Sequence, residues 1–163
     1  MDELLNLDNV RQVLEDYAAE VRTLYRDRLM RNGRVASGAL LNSVQCRVEV
    51  DGRAFEVKMT LEDYWKYVEY DTRPHWPPVS AIQKWIEIKP VIPRPDANGR
   101  IPTPKQLAYL ISRKISRVGT TGSHDLRDTT QEVNARYRER LQEALAQDVS
   151  GLVRRMVTER RFD

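Results

Sequence analysis

The chain has 163 residues, of which 40% are apolar and 31% charged, and its net charge is +3. This length fits one domain that buries about two thirds of its unfolded surface, so residues 1–163 are expected to fold as a single domain. The lone cysteine, Cys46, excludes an intrachain disulfide, and the near balance of charges does not by itself indicate a nucleic-acid partner.

The N-terminal part of the chain predicts a long helix followed by a β-hairpin. Apolar residues recur at spacings of three and four through residues 8–32, and Asn32-Gly33 is a natural helix stop. After a short helix within 37–43, alternating apolar and polar residues predict strands over 44–50 and 53–60, joined by a two-residue turn at Asp51-Gly52. One face of this hairpin is apolar, and the long helix is expected to cover it.

The segment from Tyr64 to Pro78 concentrates aromatic residues and prolines, with two of the three tryptophans of the chain. A short helix from Leu61 is expected to become extended near Val68, and the prolines require a loop over 72–78. Stiff aromatic surface of this kind is typical of a contact element, because aromatic residues and arginine are enriched at interfaces. The predicted subunit or partner contacts are Tyr67, Glu69, Tyr70, Arg73, Pro74, His75 and Trp76.

Arg73 has two interpretations within this segment. It forms a surface ion pair with Glu69 or Asp71, or it anchors a subunit contact. The tyrosines, prolines and Trp76 around it favour the contact.

The rest of the chain predicts three helices and a proline-rich arm. Ser80 and Gln83 form a capping-box pattern that opens a helix ending before Pro90. Residues 90–104 form the arm, and Thr103-Pro104 starts the next helix. The last helix, over 125–160, is longer than one domain needs, so part of it is expected to project or to break at Ser150-Gly151. The predicted arm contacts are Ile92, Arg94, Arg100 and Ile101.

The predicted fold class is therefore α+β. Long N- and C-terminal helices pack on a small antiparallel β-hairpin sheet, with two shorter helices and the proline-rich arm.

Enzymatic chemistry finds no support in the residue pattern. No serine lies in a Gly-x-Ser-x-Gly elbow, and Cys46 has no local partner that would activate it, so a half-buried structural thiol is the better interpretation. His75 and His124 stand on separate loops, whereas a tetrahedral metal site needs three or four ligands. The glycines are scattered and form no phosphate loop. We therefore predict no catalytic residue, no metal and no cofactor.

The order of these features resembles the tail-component family of lambdoid long-tailed phages, also called tail completion or neck proteins. That family has a Thr/Ser-Gly-x-Leu-x-x-Ser stretch before the hairpin, matched here by Ser37, Gly38, Leu40 and Ser43. It also has a Tyr-x-x-Tyr-Val-Glu-x-Gly-Thr-Arg-Pro-His stretch, matched by Tyr64, Tyr67, Val68, Glu69, Thr72, Arg73, Pro74 and His75. Asp71 stands where the family usually has glycine, which predicts a left-handed conformation at this residue.

The resemblance implies a non-enzymatic virion protein that joins the phage tail to the head connector. Such a protein assembles as a homo-oligomeric ring around the DNA channel, through a heterologous interface, beside partners such as the tail terminator and the head connector. DNA is expected only as the content of the channel. We predict location in the virion and, during assembly, in the host cytoplasm. The N-terminus begins acidic, and no segment reaches the length of a membrane span, so we expect neither a signal peptide nor a membrane contact.

An alternative function stays open. Residues 94–118 are rich in Arg and Lys and predict a nucleic-acid-binding accessory protein, with Trp76, Trp85 and tyrosines available to stack on bases. A solvated charged face is the commoner outcome for such a pattern.

Overall fold

The computed structural model describes residues 7–51, 54–89, 91–95 and 97–159. The fold is α+β, as predicted, with long N- and C-terminal helices, a two-stranded antiparallel sheet and shorter helices. The elements are α1 (Asp8–Arg31), α2 (Ala39–Ser43), β1 (Gln45–Asp51), β2 (Ala54–Thr60), α3 (Trp65–Glu69), α4 (Val79–Ile88), α5 (Pro104–Val118) and α6 (Asp125–Glu159).

The chain divides into two compact units. The first contains α1 up to Arg28, the hairpin and α6, and the second contains the segments Leu29–Ser43 and Leu61–His124. The expectation of one domain over residues 1–163 stays a prediction.

The core of the first unit is built where the two long helices cover the hairpin. Val21 of α1 and both Val133 and Tyr137 of α6 form a buried cluster, and Cys46 and Met59 of the hairpin pack against it. The strand register pairs apolar with apolar residues, as in Cys46 opposite Met59, Val48 opposite Val57 and Val50 opposite Phe55. The alternation in the sequence thus places one apolar face of the hairpin against the helices, as predicted.

The hairpin turn differs from its prediction at one residue. Asp51 pairs with Ala54 and belongs to β1, so it is not a turn residue. Gly52, the other half of the predicted turn, lies outside the described residues.

The Cys46 thiol lies in this core, and burial raises its pKa, with an opposing effect from the charge of Arg22. Because the thiolate is the reactive form, we expect Cys46 to react several-fold more slowly with a disulfide reagent at neutral pH in the folded chain than in the urea-unfolded chain. Equal rates in the two states would contradict the burial. The raised pKa also means that the stability due to the neutral thiol is fully present below the unfolded pKa and is lost as pH rises through the folded one.

A buried carboxylate of α6 caps the start of α1. Asp148 is 6% exposed, and its Oδ2 accepts a hydrogen bond from the Val10 backbone N at 2.9 Å. Its Oδ1 accepts from the Asn9 side-chain amide at 2.6 Å and from the Asn9 backbone N at 3.3 Å. These bonds satisfy backbone N–H groups at the helix N-terminus, which have no partner inside the helix. They join residues 139 and 138 positions apart in the chain.

The predicted break in the last helix is wrong. Ser150 and Gly151 are helical, and α6 runs without interruption over 35 residues, about 52 Å at the usual rise. Asp148 and Leu152, on either side of these residues, are both buried, so the helix is anchored where the break was expected. The predicted last residue, Arg160, lies outside the described residues.

In the second unit, α3 begins and ends later than predicted, and α4 begins earlier than predicted but ends before Pro90 as expected. Val68 is helical, and extended backbone starts at Tyr70, because the Tyr70 N donates to the Lys66 carbonyl and completes the last turn of α3. Ser80 is not an N-cap, since the Pro78 carbonyl already accepts from Ala81 N at 3.0 Å and Ile82 N at 3.3 Å. Pro78 is the N-cap, and the ring of proline restricts its φ to a value that suits the approach to a helix, so α4 begins at Val79.

The capping box at the start of α5 is confirmed. The Thr103 hydroxyl accepts from Gln106 N at 3.3 Å, and the Gln106 side chain accepts from Thr103 N at 2.9 Å, with Pro104 in the first helical position. Between α4 and this cap, the described arm residues 91–95 and 97–103 contain no helix or strand. Pro90 and Asp96 of the arm lie outside the described residues.

Candidate functional site

The candidate site centres on residues 67–78, here called the aromatic loop, which connect the last turn of α3 to α4. A second segment, residues 119–124, runs beside the start of this loop and holds it in place. Thr72 and Thr120 form an antiparallel bridge in which Thr72 N donates to the Thr120 carbonyl at 2.9 Å and Thr120 N donates to the Thr72 hydroxyl at 3.0 Å. The two threonine hydroxyls also bond each other at 2.8 Å.

Further hydrogen bonds extend this attachment on one side of the bridge. The Val68 carbonyl accepts from Ser123 N at 2.8 Å, and the Glu69 carbonyl accepts from His124 N at 3.1 Å. Most acceptors and donors here are main-chain atoms, so the path of the loop is fixed before its exposed side chains contribute. We call this set of bonds the loop clamp.

Two glycines make the clamp possible because they let the two backbones approach closely. A Cβ on Gly122 would lie 2.2 Å from the Glu69 carbonyl oxygen, and a Cβ on Gly119 would lie 1.9 Å from the Thr72 carbonyl oxygen. Gly119 also has φ of +72°, a conformation that favours glycine. Any side chain at either position would push the segments apart.

Asp71 is held differently from the prediction. Its backbone is not left-handed, and among the described non-glycine residues the positive φ belongs to His124, at 55°. The Asp71 carboxylate accepts from Gly122 N at 2.8 Å and lies 3.5 Å from His124 Nε2. A side-chain oxygen thus takes part in the turn at the position where the resembling family has glycine, and no left-handed residue is needed there.

The structure exposes most of the predicted contact residues. Tyr67 is 72% exposed, Tyr70 and Trp76 are each 52% exposed, and Arg73, Pro74 and His75 are also exposed. A surface ion pair with Glu69 or Asp71, the less favoured interpretation of Arg73, does not form in the part of the chain that the structure describes. His75 Nδ1 donates to the Arg73 carbonyl at 2.9 Å, which further stiffens the loop.

Glu69 is the exception among these residues. It is 1% exposed, because the helix continues to this position and places the side chain on its buried side. A buried carboxylate offers no surface to a partner, so Glu69 does not belong to the contact set.

An aromatic pair links the loop to α5. The rings of Trp76 and Tyr109 lie 5.8 Å apart in an edge-to-face arrangement, and Tyr109 is itself 49% exposed. Tyr109 also lines an open groove of about 780 Å³ between the arm and α5. The groove residues are Arg94, Arg100, Ile101, Pro102, Lys105, Gln106, Tyr109 and Leu110.

The structure thus brings three of the four predicted arm contacts together. Arg94, Arg100 and Ile101 line one groove, whereas Ile92 is 91% exposed and is not among the groove residues. Sequence reasoning missed Tyr109, although its position four residues after Lys105 and four before Arg113 puts all three on one helix face. The sequence also contains no local pattern that indicates the roles of Gly119 and Gly122.

The arrangement suits binding through fixed aromatic and cationic side chains. In the described ranges, no cluster of three or more His, Cys, Asp or Glu residues is arranged to hold a metal ion. None of the helices in those ranges combines the length and apolar character needed to cross a bilayer.

Comparisons with known proteins leave the chain without an assigned family. No protein-family model, no curated protein and no solved structure matches it.

Proposed function

We propose that the protein is a structural component of a tailed-phage virion that completes the neck, joining the tail to the head connector as part of a homo-oligomeric ring. The observation that carries this proposal is the aromatic loop, which presents Tyr67, Tyr70 and Trp76 to solvent on a backbone held by the clamp. Its partners are further copies of the chain and neighbouring neck proteins such as the tail terminator and head connector.

Preorganisation supports an assembly role. Ordering an interface loop on binding costs about 0.5–1.5 kcal/mol for each immobilised side chain, in addition to the backbone cost. The clamp meets part of this cost when the chain folds, because Thr72, Asp71 and the backbone around Glu69 are already bonded. Exposed aromatic side chains on a rigid support are the usual anchors of a protein interface.

The resemblance of the sequence to tail completion proteins supports the particular assembly. The matched residues Thr72 and Tyr64 have structural roles, in the clamp and as acceptor of the Leu40 N–H. The side chains of the exposed matched residues Tyr67 and Arg73 carry no such role and are available for a partner, whereas the His75 side chain is exposed but also bonds the Arg73 carbonyl. The matched residues thus include some that hold the fold and some whose side chains are free to contact a partner.

The test is loss of assembly without loss of folding. In the phage or prophage that carries the coding sequence, Arg73→Ala and Trp76→Ala should each lower infectious titre by about 100-fold or more, a loss of roughly 3 kcal/mol at a hot spot. Electron microscopy should show separate heads and tails, and purified variants should keep the wild-type circular dichroism spectrum. Arg31→Ala, on an exposed position of α1, is the matched control and should retain normal titre.

The contrary result is equally clear. If both variants give particles at normal titre, the loop is not the joining surface. If the chain is absent from purified virions by mass spectrometry, the proposed function itself fails.

A further inference from the structure

We infer that the face of the second unit formed by the arm and α5 is a binding surface for the phosphodiester backbone of nucleic acid. This inference goes beyond the proposed neck function and does not depend on it. It concerns an activity of the single chain, which can be measured in the absence of any other virion protein.

The surface collects positive charge from two separate segments. Arg94 and Arg100 of the arm and Lys105 of α5 line the same groove. Arg113, Lys114 and Arg117 continue the positive charge along α5 and line a second shallow depression with Leu110 and Val118. All six cationic side chains are exposed.

Negative charge is almost absent from this stretch. Residues 91–118 contain a single carboxylate, Asp96, which lies outside the described residues, and α5 contains none over its 15 residues. Some exposed arginines of the first unit are neutralised by carboxylates, as Arg136 is by Glu20 and Glu132, and Arg140 by Asp16. Within the described residues, the side chains of Arg94, Lys105, Arg113, Lys114 and Arg117 form no ion pair. Cations without neighbouring carboxylates are the electrostatic pattern that phosphate backbones recognise.

The spacing suits an extended polyanion. Lys105, Arg113 and Arg117 recur at multiples of four residues on α5, so they follow a row that extends about 18 Å along the helix and turns about 120° around it. Duplex DNA carries about ten phosphate charges over this length of its axis. The surface can therefore contact several phosphates at once, and the binding free energy from these contacts does not depend on base sequence.

Tyr109 adds a way to distinguish single from double strands. Its ring lies in the middle of the cationic surface, half exposed, with its position supported by Trp76. An exposed aromatic ring among cations can stack on the unpaired bases of a single strand, whereas a duplex offers only its backbone. The shared chemistry is the phosphodiester backbone, and experiment separates the two forms.

The experiment measures the anisotropy of labelled duplex and single-stranded DNA of mixed sequence, matched in phosphate number, over a salt series. We expect binding at about 50 mM salt that weakens by about 100-fold at about 200 mM, because phosphate contacts release counterions. The quadruple variant R94Q/K105Q/R113Q/R117Q should bind at least tenfold more weakly and show a shallower salt dependence, by about 0.9 in logarithmic slope for each duplex phosphate that it no longer neutralises. Tyr109→Ala should weaken only single-strand binding.

The matched control is R22Q/R31Q/R138Q/R154Q, which removes the same number of positive charges from exposed positions on α1 and α6. It should retain wild-type affinity within about threefold, because none of these four residues lines either depression of the proposed surface and charges outside the contact are screened by salt. Equal losses in the two quadruple variants would overturn the inference, because net charge alone would then explain binding. Absence of binding at about 50 mM salt would overturn it too.

In a further experiment, a polyglutamate chain of matched charge competes with labelled DNA for the protein. Weaker competition than DNA supports a nucleic-acid surface, whereas equal or stronger competition assigns the face to an acidic protein and overturns the inference. Failure of DNA binding leaves the titre test of Arg73 and Trp76 unaffected, so the two proposals fail separately.

Discussion

Gly122→Ala should destabilise the second unit by about 3 kcal/mol, at the upper end of what overpacking costs. The added methyl group would lie 2.2 Å from the Glu69 carbonyl oxygen and 2.5 Å from the Tyr70 carbonyl carbon. Both are backbone atoms, so relief requires the 119–124 segment to move away from the aromatic loop. That movement breaks the bonds from Ser123 N to Val68 and from His124 N to Glu69.

Urea unfolding followed by tryptophan fluorescence measures this effect directly. All three tryptophans, Trp65, Trp76 and Trp85, belong to the second unit, so the signal reports on the part of the chain that contains the clamp. The control is Gly151→Ala, within α6, where an added Cβ meets no atom within 4 Å. It should raise the stability of the first unit by about 0.5–1 kcal/mol, measured by circular dichroism at the helical band, since alanine is the better helix former. A fluorescence midpoint unchanged by Gly122→Ala would contradict the clamp.

Asp148→Ala should destabilise the first unit by about 2 kcal/mol, the upper range for loss of a helix cap. The substitution removes the acceptor of the Val10 and Asn9 N–H groups and leaves buried donors without a partner, a state that is costly away from water. Asp148→Asn keeps one acceptor oxygen and nearly the same volume, so it should lose about half as much.

Circular dichroism at the helical band is the suitable measurement, because α1 and α6 supply most of the helix in the chain. Glu143→Ala, at an exposed position of α6, is the matched control and should change stability by less than about 0.5 kcal/mol. If Asp148→Ala and Glu143→Ala unfold at the same urea concentration, the carboxylate does not cap α1.

Regular elements of this fold were accessible from the sequence because their signals are local. Apolar spacing located α1 and α6, alternation identified the two strands of the hairpin, and the Thr103 to Gln106 box marked the start of α5. Two predictions from local patterns were wrong because nearby residues determined the structure instead. Ser80 resembled a cap, but Pro78 had already started the helix, and Gly151 resembled a break, although flanking residues are buried.

The arrangement of the candidate site was only partly accessible, for a different physical reason. Exposed aromatics could be predicted from composition, because so many stiff side chains in a short loop exceed what one core can bury. The bonds that hold the loop join residues far apart in the chain, 48 positions between Thr72 and Thr120 and 51 between Asp71 and Gly122. Such pairings arise only when the folded chain brings the two segments together, so they leave no periodic pattern in the sequence. The burial of Glu69 was missed for another reason: local helix propensity did not locate the end of α3.

The clamp has a consequence for how this protein can diverge. Because Val68 and Glu69 are held through their carbonyl oxygens, and the close approach of the two segments depends on Gly119 and Gly122, folding makes few demands on the outward side chains of the loop. Tyr67, Arg73 and Trp76 can therefore be exchanged without unfolding the chain. Mutational drift at these positions would change which neighbour is recognised, while the same scaffold is inherited intact.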